Sequence, residues 1–223
     1  MAERYTLFET DKLRDRFQLA QGVPAGVKKS YNISPTQLGS VIVNRDGVNV
    51  LERMKWGFIP ATAKDNNSVF RYKTFLAKSE DLFDKPAWQG AVRHSRCLVP
   101  ANGFYEWQQT ADGKLPFYVR PTDQDLFAFA GIYSSWTDPQ GQVWATYAII
   151  TELANRGFKK PAQRAVILRP SDEKEWLDPT ISNESAVYGL LLPLSDDMVK
   201  IHQVSPDVKN VKANDEQLIL PVV

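Results

Sequence analysis

Arg96-Cys97-Leu98-Val99-Pro100-Ala101-Asn102-Gly103-Phe104-Tyr105-Glu106-Trp107 is crowded with apolar and aromatic side chains. It reads as two strand segments, Cys97 to Val99 and Gly103 to Gln108. A turn at Ala111-Asp112-Gly113-Lys114 and a further strand, Pro116 to Arg120, follow directly. The pattern repeats outward. Leu126 to Ser134 and Val143 to Thr151 are β-branched or aromatic runs separated by Asp138-Pro139-Gln140-Gly141. Upstream, Ser40 to Val43 and Val48 to Met54 flank Asn44-Arg45-Asp46-Gly47, with Asp-Gly as the reversal signal. Val166 to Leu168 reads as a short strand and His202 to Ser205 as a last extended segment. Helical signals are few. Leu13, Phe17 and Leu19 give Glu9 to Leu19 an amphipathic pattern. Phe75 to Phe83 is expected to be a helix ended by Pro86, and Ser171 is expected to cap a helix running through Lys174 and Leu177. Short strands with tight turns and peripheral helices argue for an α+β fold on mostly antiparallel sheet, as one compact domain over residues 1–223.

Composition narrows the function classes. Of the 223 residues, 43% are apolar and 24% charged, as in ordinary soluble domains. The net charge of +1 demands no polyanionic partner, although it leaves room for a local basic cleft. A lone cysteine, Cys97, rules out an internal disulfide and fits a reducing cytoplasm. Two histidines and one cysteine argue against a zinc site, and no run is long enough for a signal peptide or membrane span. No cofactor is implied, and a monomer is expected.

The chain opens Met1-Ala2-Glu3-Arg4-Tyr5-Thr6-Leu7-Phe8. Later segments include Tyr31-Asn32-Ile33-Ser34-Pro35-Thr36, Trp56-Gly57-Phe58-Ile59-Pro60, the quoted Arg96 to Trp107 stretch and Asn210-Val211-Lys212. Together these resemble the SOS-response-associated peptidase (SRAP) family over nearly the whole chain. The resemblance implies a β-rich domain with a cleft for single-stranded DNA. It also implies abasic-site processing in the DNA damage response. The family's second residue is a cysteine whose amine and thiol close a thiazolidine on the abasic-site aldehyde. Here Ala2 stands at that position and Glu3 replaces the following glycine. Ala2 keeps an amine if Met1 is removed, which permits an imine but no stable ring.

Other positions implied by the resemblance also depart. The family asparagine, arginine and glutamate before the central helix align with Arg71, Lys73 and Phe75, and the catalytic histidine with Pro161. Only Glu106 is kept. Between aromatic residues its carboxylate suits a general acid or base, or a structural hydrogen-bond acceptor. Cys97 reads as a buried, inert thiol. His94 is expected at a surface turn and His202 in a structural segment. Arg4, Asn32 and Pro35 match residues implied to line the DNA cleft. Arg71, Lys73, Arg164, Lys209 and Lys212 would add positive charge, and Trp107, like Trp56, would stack on a base or belong to the core or the cleft wall. Three readings follow. The first is a family member that has lost its covalent chemistry and binds single-stranded DNA at most non-covalently. The second is a weak abasic-site lyase using the Ala2 amine and Glu106. The third is a ligand- or protein-binding module on the same scaffold.

Overall fold

The computed structural model describes residues 3–65, 73–111, 113–154, 162–192 and 194–222. In chain order the elements are β1 (Arg4–Leu7), α1 (Leu13–Phe17), β2 (Ser30–Ile33), β3 (Leu38–Arg45), β4 (Val48–Trp56) and β5 (Leu76–Lys78). Then come α2 (Pro86–His94), β6 (Arg96–Ala101), β7 (Gly103–Thr110), β8 (Gly113–Pro121), β9 (Phe127–Thr137) and β10 (Val143–Ala154). The chain ends with β11 (Ala162–Ala165), α3 (Glu173–Leu177), α4 (Glu184–Leu190) and β12 (Val199–Gln203), followed by two 3-10 turns, Pro206–Lys209 and Glu216–Ile219.

The strands form two sheets. One is open, in the order β12-β8-β7-β1-β2. The other closes. β10 pairs with β4, β4 with β3, β3 with β6 and β6 with β9, and β9 returns to β10. Closure leaves no edge within that ring for another chain to pair with. β5 and β11 extend β10 beyond it. The β3–β4 hairpin turns at Asp46 and Gly47, both at positive φ (52° and 87°), as a two-residue turn matched to strand twist requires. The quoted stretch does form two strands, β6 and β7. Its first half lies in the ring and its second half in the open sheet. The expected α+β architecture on mostly antiparallel sheet is present, with parallel pairing where β10 meets β4 and β5.

The two sheets share one apolar cluster. Tyr5 and Leu7 of β1 and Phe104 of β7 pack with Val41, Leu98, Phe129 and Ile149 of the ring, all nearly or wholly buried. Each fully buried Val, Leu, Ile or Phe contributes about 1.5–3 kcal/mol. A polar pin joins the sheets: the Tyr5 and Tyr147 hydroxyls are 2.7 Å apart. Burial pushes both phenols above their ordinary range, so both stay protonated. A smaller cluster of Tyr105, Tyr118, Val204, Val208 and Leu218 holds the C-terminal segment to the other face of the open sheet.

Several local expectations are corrected. Phe75 to Phe83 is not a helix. Leu76–Lys78 runs as β5 beside Ile149–Thr151, and Ser79–Asp81 is a 3-10 turn. Pro86 opens α2 rather than ending a helix, because the first helical turn needs no N–H from it and its fixed φ suits that position. Ser171 donates to the Asp172 carboxylate instead of capping α3. Val166 to Leu168 does not form a ladder strand; it follows β11 and bonds in turn to Ile150, Ala130 and Ala128. His94 ends α2, where it is exposed. The Glu9 to Leu19 helix is shorter than its pattern, stopping at Gln18 in the left-handed region, with Leu13 and Phe17 buried as expected.

Candidate nucleic-acid interface

Strand alternation in β7 sorts the residues singled out in the sequence. Successive side chains of a strand point to opposite faces. Tyr105 and Trp107 pack in the C-terminal cluster, whereas Phe104, Glu106 and Gln108 line a pocket of about 280 Å³ on the opposite face. Arg164 and Ala165 of β11 line the same pocket, with Val119 of β8 and Val199 and Ile201 of β12. The structure therefore brings Glu106 and Arg164 together, in a setting with largely apolar walls. Glu106 itself is half-buried. Such a pocket offers a carboxylate to take or give a proton and a guanidinium to attract a phosphate, beside surface that suits a sugar or base.

A second group gathers on the far face. Arg4 donates to Asn32 Oδ1 (3.1 Å) and to the Lys209 carbonyl (3.0 Å). Burial lowers the Arg4 guanidinium, with Glu3 opposing the shift. Asn32 is 2% exposed, and its Nδ2 donates to the carbonyls of Val208, Asn210 and Ala213. Its side chain anchors the C-terminal segment, which carries the exposed Lys209 and Lys212. Trp107 is half-buried against the same segment.

Pro35 lies in the loop between β2 and β3, and Lys73 lies shortly before β5. The Thr36 N–H donates to the Trp56 carbonyl (2.7 Å), and Trp56 Nε1 donates to the Phe75 carbonyl (2.8 Å). Trp56 is fully buried and belongs to the core. Lys73 is exposed, with positive φ. Ala2, Arg71 and Pro161 lie outside the described residues. The register Arg4↔Tyr105 nevertheless brings the start of β1 alongside the Glu106 end of β7.

Cys97 is fully buried in β6, and burial pushes its thiol far above the ordinary range. The native protein is accordingly expected to resist thiol alkylation, while the urea-unfolded chain reacts fully. Rapid labelling of the native state would contradict this burial. His202 Nε2 lies 2.8 Å from the Ile219 carbonyl, a contact that fastens the C-terminus. The apolar pocket wall from Val119, Val199 and Ile201 was not singled out in the sequence. Its signal is the two-residue spacing of Val199 and Ile201 in β12, which needs the partner strands to become meaningful.

The SOS response associated peptidase (SRAP) family model matches residues 1–211. The chain belongs to the SRAP family. Among its relatives, the abasic site processing protein YoqW of Bacillus subtilis (strain 168) is 36% identical over 223 residues. That match covers 98% of this chain and 99% of YoqW. The abasic site processing protein HMCES of Gallus gallus is 28% identical, over 87% of this chain and 67% of its own length. A solved structure of a Bacteroides thetaiotaomicron protein superposes with a TM-score of 0.85 at 22% identity, over 99% of this chain and 100% of that one, so the fold is shared. No helix among the described residues is long and apolar enough to cross a membrane. Within the SRAP scaffold, β7 carries Glu106.

Proposed function

We propose that this SRAP protein takes part in abasic-site processing by holding single-stranded DNA at the Glu106 and Arg164 pocket without sealing a stable cross-link. Its relatives' names as abasic site processing proteins support the substrate class. The observation that carries the second half is the placement of sulfur. Position two is Ala2, and the lone thiol, Cys97, is fully buried in the ring, so no accessible thiol replaces the missing nucleophile. Mixing the protein with an abasic single-stranded oligonucleotide and heating the sample on a denaturing gel tests this. No adduct is expected, and a heat-resistant one overturns the reading.

A second reading is favoured by the nearness of Glu106 to the start of β1. The amine of Ala2, freed by loss of Met1, would form an imine with the sugar aldehyde, releasing water. Glu106 would then accept the proton whose removal drives β-elimination of the 3′ phosphate. Borohydride should trap that imine as a reduced amine adduct. Its complete absence removes lyase chemistry and leaves non-covalent binding.

A further inference from the structure

A second groove is lined by residues of β1, β2, β3 and β4. Its floor is Leu7 of β1, Ile33 of β2 and Leu38 of β3, and its volume is about 470 Å³. Lys28 and Lys29 stand on one wall, on the chain leading into β2, and Arg53 of β4 stands on the other. Arg53 Nη1 would come within 3.0 Å of a Cβ at Gly26, so the guanidinium reaches across to the lysine-bearing wall. All three cations are exposed, and among the described residues none makes an ion pair or a side-chain hydrogen bond. Among the described residues, no aspartate or glutamate lines the groove.

Charges usually alternate on protein surfaces, and this chain carries a net charge of only +1, so three unneutralised cations on facing walls are a local concentration against the average. Cations above an apolar floor match a strand whose phosphates need counter-charges and whose sugars and bases need a dry surface. Leu38, 54% exposed, supplies such surface. We infer that this groove is a second contact site for single-stranded nucleic acid, in which Lys28, Lys29 and Arg53 hold backbone phosphates of the strand. An acidic polypeptide would satisfy the charges but gains less from the floor. The inference rests on the single-stranded DNA reading above.

The test compares the full-length protein with the K28Q/K29Q/R53Q variant, using fluorescence anisotropy on an unmodified oligothymidylate across a salt series. Thermal unfolding should be unchanged, because all three side chains are exposed and make no bonds. Affinity should fall about ten-fold at low salt, and the slope of log K against log salt should become shallower by about 2, since each single-strand phosphate contact contributes ~0.7. Equal affinity and slope in both proteins overturn the groove and leave DNA binding at the Glu106 pocket standing. Absence of binding by the unsubstituted protein overturns both. Tighter binding of polyglutamate than of the oligonucleotide, lost in the variant, overturns the nucleic-acid assignment in favour of an acidic protein partner.

Discussion

Ala2→Cys is expected to turn a protein that leaves no heat-resistant adduct on abasic single-stranded DNA into one that does. An N-terminal cysteine presents its amine and thiol to one carbonyl carbon. The amine forms the imine with loss of water, and the thiolate then adds to it and closes the ring. That condensation needs no further catalyst once the aldehyde is held nearby, because fixing two reactants together is worth effective molarities of about 10⁵–10⁸ M. The strand is expected at the Glu106 and Arg164 pocket, beside which β1 begins. Restoring one sulfur should therefore suffice for product. Glu106→Gln in the Ala2→Cys background should slow adduct formation by about 100-fold, the low end for a positioned acid or base. Ala2→Ser, which supplies an oxygen in place of the sulfur, should give no adduct that survives heating. Mass spectrometry must first confirm loss of Met1. With Met1 gone and no adduct from Ala2→Cys, the strand is not held at this end of β7 and the proposed site is refuted.

What the sequence revealed depended on how local the cause was. Asp46-Gly47 announces its hairpin because the turn's positive φ values are demanded within two residues. Pro86 was visible as punctuation, yet proline stops a helix and starts one equally well, and only the partners decide. Leu76–Lys78 was misread because its strand character comes from parallel pairing with β10, more than 70 residues away. Closure of the ring likewise depends on β10 meeting both β4 and β9. At the site, Glu106 and Arg164 were picked out one by one, and the fold places them in one pocket. Asn32 reads as part of the loop lining the cleft. Its amide reaches carbonyls 176 to 181 positions away, and backbone carbonyls leave no trace in a sequence. The groove at Lys28, Lys29 and Arg53 is invisible in the sequence because its two walls come from separate elements.

Gly39→Ala should be among the most damaging single substitutions in the chain. A Cβ there would stand 2.0 Å from the Tyr147 hydroxyl and 2.5 Å from that of Tyr5, far inside contact distance. Neither phenol can retreat easily. Both are fully buried, they bond each other at 2.7 Å, and Tyr147 stacks on Trp56 while Tyr5 meets Trp56 edge-on. Overpacking of this kind costs about 1–3 kcal/mol, and parting the hydroxyls strands at least one buried donor at about 1–3 kcal/mol more. A loss of about 3 kcal/mol or more is expected, lowering Tm by about 6–12 °C for a domain of this size. The cause can be isolated. Adding Tyr5→Phe and Tyr147→Phe to Gly39→Ala removes both hydroxyls together, leaves no unpaired donor and should recover at least half of the lost stability. If the triple variant melts no higher than Gly39→Ala alone, the hydroxyl clash is not the cause. The same experiment bears on function, because Tyr5 is the pin that ties β1 to the ring. Pushing it outward moves Arg4 and the start of the chain relative to Glu106. Gly39→Ala should therefore weaken binding of abasic single-stranded DNA even at temperatures where the protein remains folded, and the triple variant should regain it.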